Sequence, residues 1–198
     1  MNFGVPLMIR MGLIGILLYW MWRVNFLTWL IANSRNLRGI SAIVAIFSVV
    51  AVFGKVTGIS YGGLIINFRD LGAMMAGLLG GPIAGTVVGV IGGAYRYSIG
   101  GWTALSCFAA TIFAGLFSGL MINRWKGKIS YVKVSVLGLF VESVHIFLFL
   151  PLLQQGGTTE MVWETIRDIF LPMAVTNILG LNIYAYIIEK RNSASLKM

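Results

Sequence analysis

Long apolar runs separated by short polar clusters make up nearly the whole chain. Five of these runs are long enough to cross a bilayer: Leu7 to Ile31, Gly39 to Val56, Trp102 to Asn123, Val132 to Leu153 and Ile169 to Ile188. The criterion is physical, since a hydrocarbon core about 30 Å thick needs roughly 20 mainly apolar helical residues. The stretch from Arg69 to Tyr97 is different. It is too long for one upright span and is interrupted by Gly80-Gly81-Pro82, where proline suits the first turn of a helix and not an interior. The pattern therefore predicts an all-α fold, a polytopic membrane helix bundle with five full spans and a broken or re-entrant helix hairpin over 69–97. No fixed repeat or low-complexity linker divides the chain, so residues 1–198 read as one transmembrane domain without a soluble catalytic domain.

Composition agrees. With 58% hydrophobic and 11% charged residues, and a mean hydropathy of +0.88, the surface has to face lipid. The first run carries Arg10 and Arg23 and lacks a small-residue cleavage pattern, so a retained N-terminus is expected. The net charge of +9 sits in short clusters between apolar runs, which points to a membrane surface and away from nucleic acid. Cys107 is the single cysteine, which excludes an internal disulfide and a cysteine-built metal site; no cofactor and no metal are expected.

Lys and Arg in short loops favour the cytoplasmic side. Arg35 and Arg38, then Arg124, Lys126, Lys128 and Lys133, and finally Lys190, Arg191 and Lys197 mark inside segments. The segment Gln154 to Asp168, with Glu160, Glu164 and Asp168 against Arg167, reads as an outside loop. The N-terminus is then outside and the C-terminus cytoplasmic. An even number of crossings between the first two inside loops requires the 69–97 segment to enter and return, which brings Arg69 and Arg96 to the same outer side.

Gly81, Gly85, Gly89 and Gly93 recur every fourth residue, with Gly77 in register, and Gly115 and Gly119 offer a facing strip. Small residues at this spacing let membrane helices approach closely, so helix packing is the favoured role. Arg69 and Arg96 flank the hairpin, where an arginine either snorkels or holds an anion through its guanidinium fork. Asp70 is an alternative partner for Arg69, which would leave Arg96 as the better anchor. Thr103, Ser106, Cys107 and Thr111 form a polar strip on the next helix, serving either as interhelical glue or as the lining of a small polar pocket. Glu142 and His145 share one face of the fourth span. Ionisable groups at that depth are functional candidates, with a Glu142 hydrogen bond to a neighbouring helix preferred over metal ligation. Pro172, Thr176 and Asn177 suggest a kink whose freed backbone groups are satisfied by side chains. No nucleophile triad, nucleotide loop or catalytic carboxylate pair appears, which argues against an enzyme.

The ordered set Asn67-Phe68-Arg69, Ala76 to Pro82, Gly92-Gly93-Ala94-Tyr95-Arg96-Tyr97 and Gly100-Gly101-Trp102-Thr103, with Glu142 and Leu171-Pro172-Met173 to Asn177 and Gly180, resembles the LytS/YhcK-type five-transmembrane sensor domain. The resemblance covers about Arg10 to Glu189. It implies a bacterial inner-membrane receptor of a two-component system, preceding a cytoplasmic histidine kinase or diguanylate cyclase. Kinases of the pyruvate-sensing branch respond to external pyruvate, and the matching ligand contacts here are Arg69, Arg96 and Cys107. Ala110 stands where such relatives can offer a further hydroxyl, with Thr111 beside it, so the resemblance leaves the ligand less than fully specified. The expected partners are a small carboxylate, the lipid bilayer, a second copy in a homodimer, and an output module or response regulator reached through residues beyond 198. The chain is expected to be either part of a longer protein or a stand-alone sensor module. The rival reading is the substrate-binding subunit of a vitamin-type uptake transporter.

Overall fold

The computed structural model describes residues 4–61, 64–66 and 68–195. In chain order the elements are α1 (Gly4–Arg23), α2 (Phe26–Asn33), α3 (Leu37–Val56), β1 (Ile59–Tyr61), β2 (Leu64–Ile66), α4 (Arg69–Ser98), α5 (Ala104–Arg124), α6 (Tyr131–Ser143), a π-helical turn (Val144–Phe149), α7 (Leu150–Leu153) and α8 (Thr159–Ser195). Helices α3, α5, the unit Tyr131–Leu153 and α8 are each long and apolar enough to cross a membrane; α4 matches them in length and composition but is broken at Gly81. The strands form a small antiparallel hairpin, Ile59 opposite Ile66 and Tyr61 opposite Leu64, which the hydropathy pattern did not signal.

Two boundaries differ from the sequence reading. The run Leu7 to Ile31 is not one straight span: α1 and α2 meet at an 80° bend. Asn25 takes a left-handed conformation there (φ 58°, ψ 8°), which asparagine tolerates better than most residues. The acidic segment Gln154 to Asp168 is mostly helix, because α8 already begins at Thr159. The Thr158 hydroxyl accepts from the Met161 amide at 3.2 Å, and Glu160 in the first turn complements the positive end of the helix dipole.

The 69–97 segment is a hairpin of two helical limbs. Gly81 breaks α4 with φ 78° and ψ −170°, a conformation open essentially to glycine alone, and Pro82 starts the second limb. The limbs lie antiparallel: a Cβ at Gly85 would fall 2.8 Å from the Gly77 Cα, and one at Gly92 would fall 3.4 Å from the Arg69 Cγ. The first limb of α4 follows α3, with Gly54 against the Arg69 backbone at one end and Gly80 against Ile43 at the other. Twelve residues at 1.5 Å each carry it about 18 Å into the bundle before the chain turns back.

Close packing against α5 holds the hairpin. Gly77 and Gly85 both face the Gly115 carbonyl, Gly89 faces Thr111 and Ile112, Gly93 faces Phe108, and Gly119 faces Pro82. Leu27, Ile43, Phe47, Leu71, Met74 and Met75 fill the centre. Ile16, Val49, Ile83, Leu152 and Leu171 point outward and stay largely exposed, as side chains facing hydrocarbon do.

Candidate functional site

Both limbs of the α4 hairpin have the ends remote from Gly81 beside the C-terminal end of α3, and a cavity of about 200 Å³ opens there. Its polar lining comes from Lys55, Arg96, Thr103, Cys107, His145 and Thr165, and its apolar walls include Trp102, Ile146 and Met173. The volume is below the roughly 300–1,000 Å³ typical of drug-sized ligand sites, so a fitting occupant has few atoms.

Local structure explains why these groups converge. Arg96 ends the second limb of α4, and left-handed Gly100 (φ 77°) and Gly101 (φ 94°) shape the turn that follows. Arg96 Nη1 donates to the Gly100 carbonyl at 2.6 Å, and Nη2 donates to Thr103 Oγ1 at 2.7 Å. Lys55 sits in the last turn of α3 and is only 4% exposed; Arg96 is 8% exposed. Among the described residues neither cation has a carboxylate within ion-pair distance. Buried charges ordinarily require one, so the pair presents an uncompensated positive field to the cavity. His145 enters through the π-helical turn, where the Leu150 amide reaches back five residues to the His145 carbonyl. Pro151 has no N–H for a regular turn, and wide turns of this kind frequently accompany functional sites. The loop after α7 docks beside the opening, with the Gln155 amide bonded to the Trp102 carbonyl at 2.8 Å.

Arg69 lies beneath this layer and does not line the cavity. Its guanidinium is fully buried, donating to Thr111 Oγ1, to Asp70 Oδ1 at 3.2 Å and to the Cys107 carbonyl at 3.3 Å. The Thr111 hydroxyl is also 2.6 Å from Asp70 Oδ1 and 2.8 Å from the Cys107 carbonyl, so its single proton serves one of the two at a time. Gly92 leaves the room through which the Arg69 stem passes.

From Asp70 a polar chain crosses the bundle. His145 Nδ1 lies 3.1 Å from Asp70 Oδ2 and 3.2 Å from Glu142 Oε1, and Asn177 Nδ2 donates to Glu142 Oε2 at 2.6 Å. These contacts connect the hairpin to α6, the π turn and α8. Asp70, Glu142 and His145 each offer a ligand atom, all within 4.8 Å of one another, a grouping the sequence did not reveal because Asp70 is remote in the chain. Arg69 already faces Asp70, and the carboxylate-to-ring spacings are those of ion pairs.

The predicted site residues therefore separate into groups. Arg96 and Cys107 line the cavity, whereas Arg69 and Thr111 form the buried layer below it. Ser106 is buried and donates to the Thr103 carbonyl at 2.9 Å, and does not line the cavity. Asn177 bonds to Glu142, and the Thr176 hydroxyl donates to the Pro172 carbonyl four residues back at 2.7 Å, so neither bond meets the Asp168 carbonyl that Pro172 leaves without its amide. Lys55 was missed. Its sequence signal is a lone lysine inside the last turn of an apolar run, which reads equally well as an interfacial snorkel.

Comparison with known proteins bears on the identity of this architecture. Residues 24–191 match the family model described as 5TMR of 5TMR-LYT. Sensor histidine kinase BtsS of Escherichia coli K12 is 35% identical over 153 residues, covering 74% of this chain and 27% of that protein. Sensor histidine kinase YpdA of the same organism is 32% identical over 173 residues, covering 85% of this chain and 30% of that protein. Sensor protein LytS of Bacillus cereus is 28% identical over 199 residues, covering 91% and 33%. The chain thus spans about a third or less of the length of the curated relatives it matches. With apolar spans, a glycine-packed hairpin and a match over most of its length, the chain belongs to the LytS-type five-transmembrane sensor-domain family.

Proposed function

We propose that the domain is a receptor for a small carboxylate, pyruvate being the expected ligand, which binds from the outer side between Lys55 and Arg96. The observation that carries this reading is the pair of buried cations lacking a carboxylate partner among the described residues, within one cavity of about 200 Å³. A carboxylate supplies the missing charge, and its remaining atoms meet Cys107, Thr103 and the apolar wall. Arg69 acts from below by holding Asp70, Thr111 and the Cys107 carbonyl in place.

The ligand biases the bundle only as far as it prefers one arrangement over another. His145 both lines the cavity and contacts Asp70 and Glu142, so occupancy is felt along the chain that ends at Asn177 on α8. Helix α8 would pass that bias to a cytoplasmic histidine-kinase module in a homodimer. The orientation follows the basic clusters, with the N-terminus outside and the C-terminus cytoplasmic.

Calorimetry of the purified domain in neutral detergent tests this directly. Pyruvate should bind the wild type, and Arg96→Gln and Lys55→Gln should each weaken it by at least about tenfold, the loss expected for one charge-assisted interaction. Absence of binding at millimolar pyruvate, or affinity indifferent to both substitutions, would overturn the reading.

A further inference from the structure

At the opposite end of the bundle the hairpin tip borders a second and larger cavity, of about 530 Å³. Leu79, Gly80 and Gly81 form one side of it, Arg35 and Lys126 supply the charge, and Tyr184 of α8 closes another side. We infer that this cavity is a binding site for a phosphate-bearing anion, spatially separate from the carboxylate site.

Three observations converge. First, no Asp or Glu lines the cavity, and neither Arg35 nor Lys126 has an ion-pair partner among the described residues. Second, Tyr184 is fully buried and its hydroxyl is the one buried side-chain group among the described lining residues without a hydrogen-bond partner. A buried hydroxyl in that condition costs about 1–3 kcal/mol, a penalty that an occupant would remove only by parting the side chains that now shield the hydroxyl. Third, the walls are mixed: Ile31, Ile122 and Ile188 are apolar, while Ser34 and Asn123 add polar groups. That combination suits an amphiphile with an anionic head. The two limbs of α4 meet here with opposed dipoles, so the basic side chains and not the helix ends select for negative charge. Because the cavity touches both the hairpin tip and α8, an occupant would bear on the same two elements as the carboxylate, from the other end.

Two sources share this chemistry, the headgroup of an anionic lipid and a free phosphate. Native mass spectrometry of the full chain in neutral detergent, with phosphatidylglycerol and phosphatidylcholine of matched acyl chains added, distinguishes them. Phosphatidylglycerol should be retained in preference to phosphatidylcholine. Arg35→Gln and Lys126→Gln should each reduce retention about fivefold, the effect of one basic residue at an anionic surface, and Tyr184→Phe should reduce it further. Indifference to millimolar inorganic phosphate assigns the site to lipid, and displacement by it assigns the site to free phosphate; both support the phosphate site. Equal retention of the two lipids without any effect of inorganic phosphate overturns it, as does undiminished retention by the double variant. Arg35 and Lys126 are exposed, so the double variant should fold, and its pyruvate calorimetry reads the carboxylate site separately.

Discussion

Replacing Gly85 by alanine tests how the hairpin is held. The new Cβ would strike the Gly115 carbonyl, fall 2.6 Å from the Gly115 carbonyl carbon and 2.8 Å from the Gly77 Cα. All three are backbone atoms, so no side chain can rotate away. The limbs of α4 and α5 must separate by several tenths of an ångström along a seam where Gly77, Gly89 and Gly93 are also in contact. Overpacking of this kind costs about 1–3 kcal/mol, and the upper part of that range applies when rigid elements must move together. Alanine at Gly12 supplies the contrast: its Cβ meets nothing within 4 Å. There the only effect is higher helix propensity, worth up to about 1 kcal/mol in favour of the variant. Thermal unfolding in detergent, followed by circular dichroism, should place Gly85→Ala about 5–10 °C below the wild type, at about 2–4 °C per kcal/mol for a chain of this size, and Gly12→Ala at or above it. Equal midpoints for the two variants would refute the claim that backbone contact through glycines holds the hairpin.

Glu142→Ala should be destabilised by about 1–3 kcal/mol, since it leaves the buried Asn177 amide without an acceptor and His145 with Asp70 alone, while Glu142→Gln retains an acceptor for Asn177 and loses less; chemical denaturation of the two measures the difference. Thr111→Val removes the oxygen that accepts from Arg69 Nε and should cost about 1–3 kcal/mol in the same assay, yet weaken pyruvate less than Arg96→Gln does, because Thr111 does not line the cavity. Alkylation of Cys107 by a small maleimide should slow in the presence of pyruvate, read by mass spectrometry. Asn25→Gly should leave the melting midpoint nearly unchanged, whereas Asn25→Val should lower it by the roughly 1–2 kcal/mol that a left-handed conformation costs a side chain.

The apolar runs, Gly80-Gly81-Pro82 and the four-residue glycine spacing determined by themselves that the chain is a helical membrane bundle with a folded-back segment. Each of those signals answers a local demand: hydrocarbon forbids unsatisfied backbone, proline cannot continue a helix, and only small residues permit close helix contact. The bend at Asn25 and the early start of α8 escaped because apolar length says nothing about where a run breaks, and acidic residues in a first helical turn resemble a loop. Tertiary structure alone decided which cations face the cavity. Arg69 and Arg96 look equivalent along the chain, but Asp70 and Thr111 draw Arg69 beneath the cavity, while the end of α3 brings Lys55 beside Arg96. Which charge is neutralised and which faces the cavity depends on partners about 40 residues away, as Thr111 is from Arg69 and Asp70, and that pairing exists only once the helices have packed.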